Sequence, residues 1–168
     1  IDVNDTSMKG MTPLMLAAQA GHFEIARMLV DNGADINLQN IDGCTALMLA
    51  TFTHPQIDTE SASLSRSVNV RFGQIRIVRL LISKAADLNV QDSQGNTALM
   101  LAAIEGEPAI VSVLLNAGAG LDIKNHNGIS AAKFALDGNH FDCVELFLQS
   151  GATLTGSFAI PVIGYGSD

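Results

Sequence analysis

A seven-residue motif returns along the chain at a nearly fixed step, and this repetition limits the possible folds more than any other feature. Thr12-Pro13-Leu14-Met15-Leu16-Ala17-Ala18 reappears as Thr45-Ala46-Leu47-Met48-Leu49-Ala50-Thr51 and as Thr97-Ala98-Leu99-Met100-Leu101-Ala102-Ala103. A weaker copy is Ser130-Ala131-Ala132-Lys133-Phe134-Ala135-Leu136. The steps are 33, 52 and 33 residues. A second marker keeps the register: Gly33-Ala34-Asp35-Ile36-Asn37, Ala85-Ala86-Asp87-Leu88-Asn89, Gly118-Ala119-Gly120-Leu121-Asp122 and Gly151-Ala152-Thr153-Leu154. Glycines at 10, 43, 95 and 128 make a third. A unit this short cannot bury its apolar side alone, so successive copies must stack.

Each copy reads as two short helices and a turn. The first helix opens on a hydroxyl residue (Thr12, Thr45, Thr97, Ser130) suited to capping free backbone N–H groups, and is rich in alanine, which lets backbones approach closely. Gly21, Gly73 and Gly106 are expected to break the chain before the second helix, with Asn139 in the last copy. The second helix has apolar residues at helical spacing: Ile25, Met28, Leu29; Ile77, Leu80, Leu81; Ile110, Val113, Leu114; Cys143, Leu146, Phe147. Gly33, Gly118 and Gly151 stand where a helix C-terminus favours positive φ.

These residues resemble the ankyrin repeat, with its Gly-x-Thr-Pro-Leu-His-x-Ala-Ala, Gly-His, Leu-Leu and Gly-Ala-Asp-x-Asn signature. Residues 10–43 and 95–128 fit closely, 43–95 fit with an insertion, and 128–154 fit with an eroded consensus. The resemblance implies an all-α, ankyrin-repeat solenoid of stacked helix-turn-helix units with short β-hairpin or turn loops. Units are expected at 11–43, 44–95, 96–128 and 129–154. Residues 1–10 read as the tail of a truncated repeat, since Asp2-Val3-Asn4 precedes Asp35-Ile36-Asn37 by 33 residues. The expectation is a piece of a longer protein with a further repeat upstream. Met15, Met48 and Met100 stand where the family has a His that bonds to the connecting loops. Those bonds must be made otherwise or lost, and the adaptable Met side chain suggests a more deformable stack.

The 52-residue step exceeds the period by 19 residues, which places an insertion at about 53–71, Ser/Thr-rich and joining the two helices of one copy. A tolerated mobile loop is the plainer expectation, and a partner-contacting arm or modification site the other. Beyond Leu154, residues 155–168 include the apolar run Phe158-Ala159-Ile160-Pro161-Val162-Ile163, a cap or a linker.

Composition narrows the function. Net charge is −8, which disfavours nucleic acid as a partner. The balance is uneven: Arg66, Arg71, Arg76, Arg79 and Lys84 place five of nine cations in a stretch with no acid. That patch can steer an acidic partner segment or merely limit self-repulsion, the second being the expectation. No apolar run reaches the ~18 residues of a membrane span, no signal peptide is visible, and two cysteines suit a reducing compartment. A cytoplasmic or cytosol-delivered monomer is expected.

No catalytic constellation stands out. Ser130-x-x-Lys133 matches a serine acylase pattern, but Ser130 holds the capping position. Cys143 falls in the row of Ile25, Ile77 and Ile110, so a core role is expected. His22 and His140 occupy the family's Gly-His place. His54 and His126 lack neighbours at metal-ligand spacing. Gly118-Ala119-Gly120 and Gly164-Tyr165-Gly166 lack the rest of a dinucleotide loop. No cofactor or metal is expected.

What remains is a surface. By resemblance, partner contacts come from the hairpin tips and the exposed end of the first helix. Those places hold Met8, Met11, Gln19, Ile41, Asp42, Cys44, Phe52, Ser93, Gln94, Asn96, Ile104, Glu105, His126 and Ile129. Met11, Ile41, Phe52, Ile104 and Ile129 are apolar where the family tends to be polar, and an apolar strip marks an interface. The second helices bear Glu24, Arg27, Arg76, Arg79, Asp142 and Glu145, read as a solvated charged face. Two functions fit: a protein-binding scaffold, adaptor or inhibitor without catalysis, or the targeting or regulatory part of a larger enzyme or secreted effector.

Overall fold

The computed structural model describes residues 2–51 and 64–152, with side chains from Val68 onward in the second stretch. It contains eight helices in this range: α1 (Pro13–Gln19), α2 (Phe23–Asp31), α3 (Ala46–Leu49), α4 (Leu64–Ser83), α5 (Ala98–Glu105), α6 (Pro108–Asn116), α7 (Ala131–Asp137) and α8 (Phe141–Gln149). The shorter helices α1, α3, α5 and α7 form one row, each packed on the next. Their partners α2, α4, α6 and α8 form the second row, and the two are called the inner (α1, α3, α5, α7) and outer (α2, α4, α6, α8) rows. Among the described residues the loops are turns, with a single antiparallel bridge between Lys124 and Ser130.

The hydroxyl residues start the inner helices as expected. Thr12 Oγ1 accepts the Met15 N–H at 3.2 Å, and Thr45, Thr97 and Ser130 accept those of Met48, Met100 and Lys133 at 3.4 Å each. Each such cap contributes about 1 kcal/mol. At α1 the Thr12 N–H also donates to Met15 Sδ at 3.4 Å, so the thioether completes a reciprocal cap. α3 stops after one turn. The Thr51 hydroxyl donates to the Met48 carbonyl at 2.7 Å and takes up a helix-end acceptor.

One continuous core runs between the rows. Leu14, Met15, Leu47, Met48, Leu99 and Met100 fill it from the inner helices, and Ile77, Leu81, Ile110, Leu114 and Phe147 from the outer ones. Alanines 17, 18, 46, 50, 98, 102 and 103 are buried where helices cross. Cys143 is buried in this core.

Three readings of the outer row need correction. Gly73 does not break the chain. It lies inside α4, whose twenty residues reach back to Leu64 through the end of the expected insertion. A Cβ at Gly73 would come within 1.9 Å of the Gly21 carbonyl oxygen, so glycine is there for a backbone-on-backbone crossing. The insertion is therefore helical over 64–71, while residues 53–63 lie outside the described range, as does the segment 155–168. Ile25 and Met28 are not core residues. Ile25 is 51% exposed, whereas Ile77, Ile110 and Cys143 in the same row are 0%, 3% and 1% exposed. That row faces the preceding helix pair, and α2 has none among the described residues.

The remaining break points behave as the sequence suggests. Gly21, Gly106 and Asn139 have φ of 69°, 68° and 58°, left-handed values that few residues besides glycine and asparagine adopt.

Candidate protein-interaction surface

The hairpins form a bonded row along one edge of the stack. Within each, one side chain closes the turn: Asn40 Oδ1 accepts the Asp42 and Cys44 N–H groups, Asp92 Oδ1 those of Gln94 and Asn96, and Asn125 Oδ1 those of Asn127 and Ile129. Ser7 Oγ does the same for Lys9 and Met11 at 3.3 Å. Each tip then donates to the one before it. Ile41 N–H reaches the Lys9 carbonyl at 3.2 Å, Ser93 N–H that of Asp42 at 2.9 Å, and His126 N–H that of Gln94 at 3.1 Å.

A second ladder lies beneath the tips. Asn4, Asn37 and Asn89 present Oδ1 to the N–H groups of Asp35, Asp87 and Gly120 in the next unit, at 2.8, 2.9 and 2.8 Å. Gln39 Nε2 donates to the Gly43 and Gln91 carbonyls, and Gln91 Nε2 to those of Gly95 and Lys124. These glutamines bridge the loops that, by the family resemblance, a His at the Met15, Met48 and Met100 positions would otherwise bond.

Met8, Ile41, Asp42, Ser93, Gln94, Ile104 and His126 are exposed. Met8 and Ile41 hold equivalent places on bonded neighbouring tips, and together they give one apolar end to a row that becomes polar at Ser93 and His126. Ile104 stands near the far end of α5, about 9 Å along the helix from its start. Its carbonyl lies 3.0 Å from His140 Nε2.

Met11, Gln19, Cys44, Asn96, Glu105 and Ile129 are only half-exposed. Met11 Sδ accepts from Asn40 Nδ2 at 3.3 Å, Asn96 Oδ1 from Asn125 Nδ2 at 3.0 Å, and the Gln19 carbonyl from Gln74 Nε2 at 3.2 Å. Burial pushes the Cys44 thiol up to about 11, with Asp92 and Asp42 adding to it. Phe52 lies outside the described residues.

The outer face holds a cluster that the reading of a break at Gly73 concealed. The Arg76 guanidinium stacks 3.7 Å from the Phe23 ring centroid and lies 5.9 Å from that of Phe72. Glu24 contacts Arg27 at 3.1 Å and Arg76 at 3.6 Å, Lys84 lies 3.9 Å from Asp31, and Arg71 pairs with Glu107. The acid-free stretch thus contributes ion pairs to both neighbouring helices. Val68 and Phe72 are exposed beside it. The spacing Val68, Phe72, Arg76, Arg79 is the signal that could have revealed this helix face.

No described helix is long and apolar enough to cross a membrane. The "Ankyrin repeats (3 copies)" family model matches residues 66–156, and the "Ankyrin repeats (many copies)" model matches residues 1–50. The rat Ankyrin repeat and SAM domain-containing protein 6 is 37% identical over 68% of this chain and 11% of its own length. The Arabidopsis thaliana E3 ubiquitin-protein ligase XBAT33 is 30% identical over 90% or more of the chain (93%) and 33% of its own length. The Caenorhabditis elegans Ankyrin repeat and KH domain-containing protein mask-1 is 32% identical over 90% of the chain and 6% of its own length. The chain thus spans a third or less of each of these relatives. Repeats of this kind are generally protein–protein interaction modules, and the signature, the stacked helix pairs and both family models agree that this chain belongs to the ankyrin-repeat family.

Proposed function

We propose that this chain binds another protein through its hairpin tips and the adjoining ends of the inner helices, as a scaffold, adaptor or inhibitor with no catalysis of its own. The observation that carries this reading is the tip row. Met8, Ile41, Asp42, Ser93, Gln94 and His126 are exposed on hairpins that hydrogen-bond from one unit to the next. A preorganised edge loses little conformational entropy on binding, which favours a long shallow contact with a folded partner. In this reading the module is a cytoplasmic or cytosol-delivered monomer. Its units run over 11–43, 44–95, 96–128 and 129–154, and residues 155–168 serve as cap or linker.

The test is quantitative capture of bound proteins by the parent chain and by Ile41→Asp and Ile104→Asp. A partner retained by the parent and lost from both variants supports the reading. A capture profile unchanged by either substitution contradicts it.

A second reading makes this the targeting or regulatory part of a larger enzyme. It is favoured by one relative, XBAT33, which is named as a ubiquitin ligase and of which this chain matches 33%. Measuring the parent protein's activity with and without residues 11–152 separates the two.

A further inference from the structure

α4 differs from the other outer helices in its added N-terminal turns, and these extend a stripe that no described residue covers. Val68, Phe72, Arg76 and Arg79 follow at steps of 4, 4 and 3, which places them on one helix face. Val68 is 61% and Phe72 64% exposed, and both arginines are exposed. The stripe is apolar towards the N-terminus and cationic towards the C-terminus.

The cationic half is under-neutralised. Arg27 of α2 holds the place equivalent to Arg79 one unit earlier, so Arg27, Arg76 and Arg79 share one neighbourhood on two packed helices. Glu24 is the carboxylate that contacts this group, at 3.1 Å from Arg27 and 3.6 Å from Arg76. Arg79 has no ion pair among the described residues. By contrast, Arg71 and Lys84 are matched by Glu107 and Asp31. Arg71 and Lys84 thus each have a carboxylate of their own, whereas Arg27 and Arg76 share Glu24 and Arg79 has none among the described residues. Stacking on Phe23 holds the Arg76 guanidinium by its face and leaves its edges for a carboxylate.

From Val68 to Arg79 the stripe runs about 16 Å, three turns of a facing helix. We propose that it docks an acidic amphipathic helix of a partner protein, with apolar side chains on Val68 and Phe72 and carboxylates on Arg27, Arg76 and Arg79. Charge selects this occupant: a local excess of guanidinium groups on a chain of net charge −8 attracts a carboxylate-bearing segment and disfavours a second copy. The interleaved Glu24, Asp31 and Glu107 equally disfavour a phosphate backbone. This surface is independent of the hairpin edge.

The test uses the whole chain and a fluorescein-labelled 18-residue helical peptide with leucines on one face and glutamates on the other, followed by anisotropy. Phe72→Ser, Val68→Ser and the pair Arg76→Glu with Arg79→Glu should each weaken binding about tenfold or more, and added salt should weaken it further. A peptide with lysines for glutamates should bind at least about tenfold more weakly. Ile41→Asp, which alters the separate hairpin edge, should leave binding of this peptide at the parent's level. These positions are exposed, so thermal midpoints near the parent's show that each variant has folded. The proposal is overturned by no binding, by equal binding of the lysine peptide, or by indifference to Phe72→Ser. Loss on Ile41→Asp would overturn it by moving the peptide to the hairpin edge. Tighter binding after removal of residues 54–62 would overturn it in favour of the chain's own segment, and a dimer abolished by Phe72→Ser in favour of a second copy.

Discussion

Ala85 occupies a place where the backbone has little use for a side chain. Its φ is 61°, and the equivalent Gly33, Gly118 and Gly151 have 85°, 91° and 85°. A Cβ in left-handed geometry costs about 1–2 kcal/mol, partly offset because alanine loses less backbone entropy than glycine on folding. Ala85 is exposed and has no packing to lose. Ala85→Gly is therefore expected to stabilise the protein by roughly 0.5–1 kcal/mol, read as a higher urea midpoint with unchanged slope. Cys44 is tuned by its surroundings too. Burial first, then Asp92 and Asp42, raises its thiol to about 11, so the folded state keeps a proton that the unfolded chain releases above about 9. The sign follows from linkage: this contribution is whole below pH 9, falls as pH rises, and is exhausted beyond the folded value. Iodoacetamide should alkylate Cys44 more slowly in the folded protein than in urea at pH 8 to 9, and Asp92→Asn should narrow that gap. A labelling rate equal in the two states would contradict this.

Among the elements, the ladder of asparagines joins each hairpin segment to the next unit. Asn89 is exposed, and its Oδ1 takes the Gly120 N–H at 2.8 Å across a unit boundary. Asn89→Ala removes that acceptor and should cost about 1 kcal/mol, while Asn89→Asp retains an acceptor and should cost clearly less. Amide exchange at Gly120 provides the local readout, faster for Ala than for Asp. The hairpins and caps were legible in the sequence because a register shared by three markers fixes them, and the chemistry of threonine, asparagine and glycine is local. Gly73 shows where that reasoning fails. Its place in the register matched that of Gly21 and Gly106, yet whether glycine ends a helix or admits a neighbouring backbone depends on what lies across from it. The composition of residue 73 and its neighbours contains no trace of the Gly21 carbonyl. The outer-face stripe was hidden for the same reason, since its four residues share a face only if the helix continues through Gly73. The hairpin-tip positions followed from the period, but their burial did not: Met11 and Asn96 are partly consumed by bonds to the adjacent hairpin.

For the whole molecule, stability is distributed as terms within units and across their boundaries, so one residue type in one row has a different worth according to its neighbours. Ile25 and Ile77 make the comparison cleanly, with identical side chains in equivalent places. Ile77 is fully buried, with packed helices on both sides of α4, while Ile25 is half-exposed on α2, which among the described residues has a packed outer helix on one side only. Ile77→Ala should cost about 2–4 kcal/mol through lost burial and a residual cavity, whereas Ile25→Ala should cost less than about 1 kcal/mol. Chemical denaturation of the two variants gives both numbers. The same asymmetry sets the order of opening. Amides of α2 should exchange faster than those of α6, which is covered by α4 and α8. If a further helix pair were joined ahead of α1 and seated on Leu16, Ile25 and Met28, the cost of Ile25→Ala should climb towards that of Ile77→Ala. A cost that stayed low would mean that this face takes no helix pair, because a repeat stack makes a boundary position valuable only by covering it.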